Sequence, residues 1–143
     1  MIILVSKYLD YYTKTLNLKL YNDIRVVNNK EGLEIFRNKV KGKRKVCLDV
    51  EANGLDPYVN KVLGLGIKVS NFKFIFDNTN DYSTVLALLK KKMVIGQNLK
   101  YDMKMLHING KVGFTKIYDT LIAEQRLFMG TKDRKGLDSL INK

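Results

Sequence analysis

The chain has 143 residues, with 26 Lys+Arg against 14 Asp+Glu and a net charge of +12. That length fits one domain, the 45% hydrophobic content excludes a wholly disordered basic tail, and the apolar start Met1 to Val5 is too short for a signal-peptide core or a membrane span. A single cysteine, Cys47, excludes a disulfide framework and a cysteine-built zinc site, and fits a reducing, cytoplasmic setting with no membrane partner.

Residues 1–22 are rich in Tyr, Lys and Leu without clear periodicity, and are read as an N-terminal leader ahead of a single domain over 23–143. Arg25–Val27 is a short strand candidate, after which Leu33, Phe36 and Val40 recur at helical spacing. The basic run from Lys39 to Lys45 closes that helix. Three strands are predicted next, Val46–Glu51, Val62–Val69 and Phe72–Asp77, the last two joined by the two-residue hairpin connection Ser70-Asn71. Tyr82, Val85, Leu86 and Leu89 mark an amphipathic helix, and Lys90–Lys92 suit the negative end of its dipole. Met93–Gly96 reads as a short buried strand, and Asn98 as the N-cap of a helix running to about His107. Phe114–Tyr118 is a fifth strand, Asp119 opens a helix to Met129, and Gly136–Ile141 begins another that the chain end leaves incomplete. Three antiparallel strands followed by alternating helices and strands make a mixed α/β fold with a five-stranded sheet.

Two constellations carry chemistry. Asp49-Val50-Glu51 lies on an apolar strand, and side chains two apart share a face, roughly 6–7 Å from each other. Two such carboxylates repel unless a cation lies between them, and Mg²⁺ takes oxygen ligands. In Gly96-Gln97-Asn98-Leu99-Lys100-Tyr101-Asp102, the spacing stacks Asn98, Tyr101 and Asp102 on one helical stripe, with Leu99, Met103 and Leu106 on the opposite, core-facing one. The +12 charge adds attraction for polyanions. It does not name the partner, because 21 Lys and 13 Asn are also what an AT-rich genome produces.

Taken together, VCLDVEANGLD at Val46–Asp56, the strand Val62–Val69, IGQNLKYDMKML from Ile95, IYDTLIAEQRL from Ile117 and GLDSL from Gly136 resemble the 3′–5′ proofreading exonuclease domain of family A DNA polymerases. That domain belongs to the DEDD exonuclease superfamily and has an RNase H-like fold. The resemblance covers about Arg25 to the C-terminus. It implies that Asp49, Glu51 and Asp102 are catalytic carboxylates holding two Mg²⁺ or Mn²⁺ ions for phosphodiester hydrolysis. Asp49 would bridge the ions, Glu51 would serve the water-activating one and Asp102 the other. It also implies that Leu55 wedges against the 3′-terminal base, that Asn98 and Tyr101 hold the terminal nucleotide, and that the partner is a single-stranded or frayed 3′ end of DNA, with a DNA polymerase chain alongside.

Two departures from the family pattern stand out. Ala52 occupies a place where the family often has Thr, and the family's third motif, Tyr or His followed four residues later by Asp, lies downstream of the GLDSL match. The chain ends at Lys143, so the orienting Tyr and the fourth carboxylate are expected to be missing. Asp119 is placed either to face the same rim or to cap the helix it opens, and the cap is preferred. Gly64-Leu65-Gly66 runs into a strand rather than a helix, which excludes a dinucleotide-binding turn and points to close approach by a neighbouring element. His107 reads as a helix-end or surface residue, and Cys47 as a buried small hydrophobe. The expected function is a metal-dependent 3′–5′ exonuclease acting on DNA. The alternatives are a catalytically impaired module of the same fold that binds nucleic acid or a polymerase, and a 3′–5′ exoribonuclease.

Overall fold

The computed structural model describes residues 24–77, 82–110 and 113–129. The expected leader over 1–22 and the expected helix from Gly136 lie outside them. The described chain runs β1 (Ile24–Val27), α1 (Lys30–Val40), β2 (Lys45–Ala52), β3 (Val62–Val69), β4 (Phe72–Asp77), α2 (Tyr82–Leu89), β5 (Met93–Gly96), α3 (Leu99–Gly110), β6 (Lys116–Asp119) and α4 (Thr120–Leu127). Among these residues no helix is long and apolar enough to cross a membrane.

One six-stranded sheet has the order β1-β4-β3-β2-β5-β6. The expectation of five strands is corrected by β1, which pairs in parallel with the free edge of β4 and satisfies backbone groups that would otherwise face solvent. β3 is antiparallel to β2 and β4, whereas β5 and β6 add in parallel beyond β2, so β3 alone runs against the rest. Ser70 turns the β3–β4 hairpin with a φ of 54°. The last strand begins at Lys116 rather than Phe114, because its register with β5 is Met93 opposite Lys116 through Gly96 opposite Asp119.

Strand alternation divides the sheet into two unlike faces. Val46, Leu48 and Val50 of β2, Leu65, Ile67 and Val69 of β3, and Phe74 and Phe76 of β4 are buried on one face. That face is covered by Phe36 and Val40 of α1, Val85, Leu86 and Leu89 of α2, and Leu99, Met105 and Leu106 of α3, all in one apolar cluster. α1 starts where the Asn29 side chain accepts the Gly32 N–H at 2.8 Å, and it presents Gly32, Phe36 and Val40 to the sheet at four-residue intervals. Phe36 meets Phe74 and Phe76 edge-on, with ring centroids 5.1 and 5.0 Å apart. The other face of β2 carries Cys47, Asp49 and Glu51, all exposed. Cys47 is therefore a surface thiol rather than a buried hydrophobe, placed there by the same two-residue period that exposes the acids.

Because the Phe36 ring is fully enclosed by rigid β4 neighbours, Phe36→Ala is expected to cost about 3–5 kcal/mol of folding free energy, measured as a shift of the urea midpoint at unchanged m-value.

Candidate active site at the carboxyl end of strand β2

β5 pairs with β2 only over Lys45–Cys47, and it ends at Gly96. Beyond that point β2 continues without β5 beside it, so its backbone groups on that side need other partners. Helix α3 fills the gap. Asp102, on its first turn, accepts the Val50 N–H at 2.9 Å, in place of the strand pairing that β5 no longer gives. A carboxylate from one motif is thereby fixed to the backbone between Asp49 and Glu51 of the other.

Asp102 is 4% exposed and lies on the buried stripe with Leu99 and Leu106. This corrects the expected arrangement, in which Asp102 faced away from the core. The physical reason is that α3 enters beside the end of β2, so its sheet-facing side carries Asp102 as well as apolar residues. The Asp102 carboxyl is pushed up to about 6, chiefly by burial and further by the negative charges of Asp49 and Asp119, against the lowering effect of hydrogen bonds from the Val50 N–H and its own N–H. Asp49 and Asp102 thus form a like-charged pair at the strand end, with Glu51 two residues further along the exposed face of β2. Among the described residues no group of three His, Cys, Asp or Glu side chains converges as a metal cage.

Asp119 is committed to backbone donors. One carboxylate oxygen accepts the Asn98 and Leu121 N–H groups at 3.0 and 2.9 Å, and the other accepts Leu99 N–H at 2.8 Å. It caps α4, as preferred from the sequence, and it also ties down the start of α3. This corrects the N-cap assignment of Asn98: that residue is exposed with a φ of 55°, outside the extended conformation of a cap, and a carboxylate distant in sequence does the capping.

Leu55 is 84% exposed in the loop between β2 and β3, and Tyr58 and Val59 beside it are 84% and 76% exposed. The last two carried no signal in the sequence beyond their apolar character within a turn. The loop is held firmly: the Asn53 side chain accepts Lys61 N–H at 2.7 Å, Asp56 accepts Tyr58 N–H at 2.9 Å, and Asn60 accepts Asp56 N–H at 3.0 Å. Tyr101 completes it by donating its hydroxyl to the Gly54 carbonyl at 2.8 Å. Tyr101 thus joins α3 to the segment presenting Leu55.

Gly66 lies opposite Asp49 and Gly64 opposite Glu51. A Cβ at either would meet only ordinary contacts, so the expected close approach of a neighbouring element is not what these glycines serve; they leave the sheet beside the two acids bare. Close approach occurs instead at Gly96, where a Cβ would lie 2.5 Å from Leu99 and 2.8 Å from the Leu48 carbonyl oxygen. His107 is exposed towards the end of α3, and Glu124 of α4 is buried with no hydrogen-bond partner for either carboxylate oxygen among the described residues.

A family model for the 3′–5′ exonuclease domain of family A DNA polymerases matches residues 24–143. DNA polymerase I of Borreliella burgdorferi is 25% identical over 131 residues, a match covering 83% of this chain and 14% of that protein. The chain therefore spans about a seventh of the polymerase it resembles. Similar solved structures include the Aedes aegypti Nibbler EXO domain, with a TM-score of 0.69 at 10% identity over 87% of this chain and 70% of that one. Escherichia coli RNase D, an exoribonuclease, gives 0.68 at 15% identity over 83% and 32%. Trypanosoma brucei RNase D in complex with RNA gives 0.68 at 16% identity over 83% and 45%. At these identities the likenesses establish the RNase H-like exonuclease fold.

Two predictions follow from this geometry. The raised Asp102 carboxyl means that the folded state holds its proton more tightly than the unfolded chain. Metal-free protein is therefore expected to keep this contribution below about pH 4 and lose it as the pH rises through about 6. Chemical denaturation in EDTA across that range should show the loss, and Asp102→Asn, whose amide oxygen still accepts the Val50 N–H, should abolish it. Secondly, Gly96→Ala should destabilise by about 1–3 kcal/mol by forcing apart β2 and the start of α3, whereas Gly66→Ala should be neutral or stabilising by up to about 1 kcal/mol.

Proposed function

Because the chain belongs to the 3′–5′ exonuclease family of family A DNA polymerases, we propose that it removes nucleotides hydrolytically from the 3′ end of DNA, in the manner of a proofreading domain. The observation that carries this reading is the Asp102–Val50 hydrogen bond, which anchors a buried carboxylate beside Asp49 at the open end of β2. The donor set fits a hard divalent cation: the groups are carboxylate oxygens, and the raised Asp102 carboxyl reflects burial and like charge that a cation would offset. Asp49 and Asp102 would hold Mg²⁺ or Mn²⁺, and Glu51, which does not converge with them among the described residues, would have to turn from the same strand face to join them. Such ions supply charge neutralisation at the phosphate and activation of the attacking water.

The chain's own residues do the positioning. The Val50 N–H orients Asp102, and Asp119 fixes the start of the helix that carries it. Tyr101 braces the loop from which Leu55, four residues after Glu51, projects into solvent, and an apolar side chain there would pack against the face of a terminal base. Asn98, exposed at the start of α3, is assigned to the terminal nucleotide, as is the ring of Tyr101. The bare glycines opposite Asp49 and Glu51 leave room for the sugar and phosphate. A DNA polymerase chain is the partner that this reading implies, because it is the source of mismatched 3′ ends.

The test is incubation with labelled single-stranded DNA and Mg²⁺ or Mn²⁺. Stepwise shortening from the 3′ end is expected, falling to the no-protein background in Asp49→Asn and Asp102→Asn. RNA of the same sequence run in parallel decides the substrate class, and faster trimming of RNA would overturn the assignment to DNA. Absence of trimming, with DNA binding equal in Mg²⁺ and EDTA and unaffected by Glu51→Gln, would leave a binding module. Either ion should also raise the melting temperature of the wild type, and Asp49→Asn should raise the metal-free value by a few degrees by removing repulsion.

A further inference from the structure

The amino-terminal ends of β2, β5 and β6 lie in one row, since Lys45 is in register with Met93 and Met93 with Lys116. This is the opposite end of these strands from Asp49, Glu51 and Asp119. A cavity of about 760 Å³ opens there, lined by residues 43–45 from the turn into β2, residues 90–92 from the turn after α2, Lys116, and three apolar residues. Among the described residues the seven polar lining positions are all Lys or Arg, and none is acidic.

Chain-end electrostatics account for only part of this cluster. The dipoles of α1 and α2 suit Lys43, whose N–H bonds to the Val40 carbonyl, and Lys90–Lys92, but Arg44, Lys45 and Lys116 lie at the starts of strands, where there is no comparable dipole. Nor is the cluster a loose brush of side chains. Met93 N–H bonds to the Arg44 carbonyl at 2.9 Å, the Lys92 ammonium to the Lys43 carbonyl at 2.8 Å, and the Thr115 hydroxyl to the Lys90 carbonyl at 2.9 Å. Three chain segments rich in lysine are thus pinned side by side, a fixed positive surface that attracts anions.

We infer that this cavity is a second phosphate-backbone site, which holds the same nucleic-acid strand upstream of the 3′ end engaged at Asp49. The inference rests on the exonuclease reading for the identity of the polyanion. From Lys45 to Asp49 the rise along β2 is about 13 Å, or roughly four stacked nucleotides at 3.4 Å each. A strand with its 3′ end at the acids covers that length in a few nucleotides, and reaches the cavity by rounding the end of the sheet. Lysines with no base-reading partner suit a backbone contact, which is independent of sequence.

The test is binding of a fluorescent single-stranded 20-mer to the full chain in EDTA, so that neither cleavage nor metal enters the readout. Lys45→Gln/Lys91→Gln/Lys116→Gln is expected to weaken binding at least about tenfold at 0.1 M salt and to lower the salt slope by about 2. A control with the same charge loss elsewhere, Lys30→Gln/Lys104→Gln/Arg126→Gln, is expected to change affinity far less. The melting temperature of the first variant should stay level, because all three side chains are exposed. Equal weakening in both variants would overturn the inference in favour of diffuse attraction, as would competition by polyglutamate as effective as that by unlabelled 20-mer, which would indicate an acidic protein ligand. Failure of 3′ trimming with a positive result here would overturn the exonuclease assignment alone, and the reverse pattern would overturn only the second site.

Discussion

The hydrogen bond from the Val50 N–H to Asp102 is the contact on which the rest of the site depends. It exists because β5 stops pairing with β2 after Cys47, leaving a strand edge inside the protein that a helix must satisfy. A buried backbone donor and a buried carboxylate each cost free energy alone, and each removes part of the other's cost. The residual burden shows in the raised Asp102 carboxyl, which stays strained towards protonation by burial and by Asp49. The buried carboxylate is therefore also a weak point of the fold.

Around that contact the second layer is helix capping carried out at a distance. Asp119 spends its oxygens on N–H groups at the starts of two helices, so the ends of β5 and β6 and the entries to α3 and α4 form one unit. This arrangement explains why an acid at a strand end near the rim is structural here. Tyr101 extends the same unit to the β2–β3 loop, coupling the placement of Leu55 to that of Asp102 one residue later on the helix.

Charge is sorted along the strands. Asp49, Glu51, Asp77 and Asp119 occupy carboxyl ends, whereas Lys45 and Lys116 occupy amino ends of the same sheet. Within the described sheet the acids gather at one end and these lysines at the other. A polyanion is repelled from the acids unless cations offset them, and is attracted to the opposite end, so the net +12 charge describes neither end.

Much of this was legible in the sequence because it rests on periodicity. Alternation in Lys45–Ala52 put Asp49 and Glu51 on one face, and the apolar spacings of α1 and α2 located their buried sides. The motifs also identified the family. Properties set by encounters between distant segments were not legible: the burial of Asp102, the capping of α3 by Asp119 in place of Asn98, and the pairing of β1 with β4 as a sixth strand of the sheet. Local spacing states which residues share a face, but not which neighbour that face meets. The sequence by itself determined the carboxylates, their strand and helix, and the excess of lysine. Only the tertiary structure decided that β5 ends early enough for Asp102 to reach Val50, and that lysines from three segments meet at the opposite end, because both depend on strand register between distant parts of the chain.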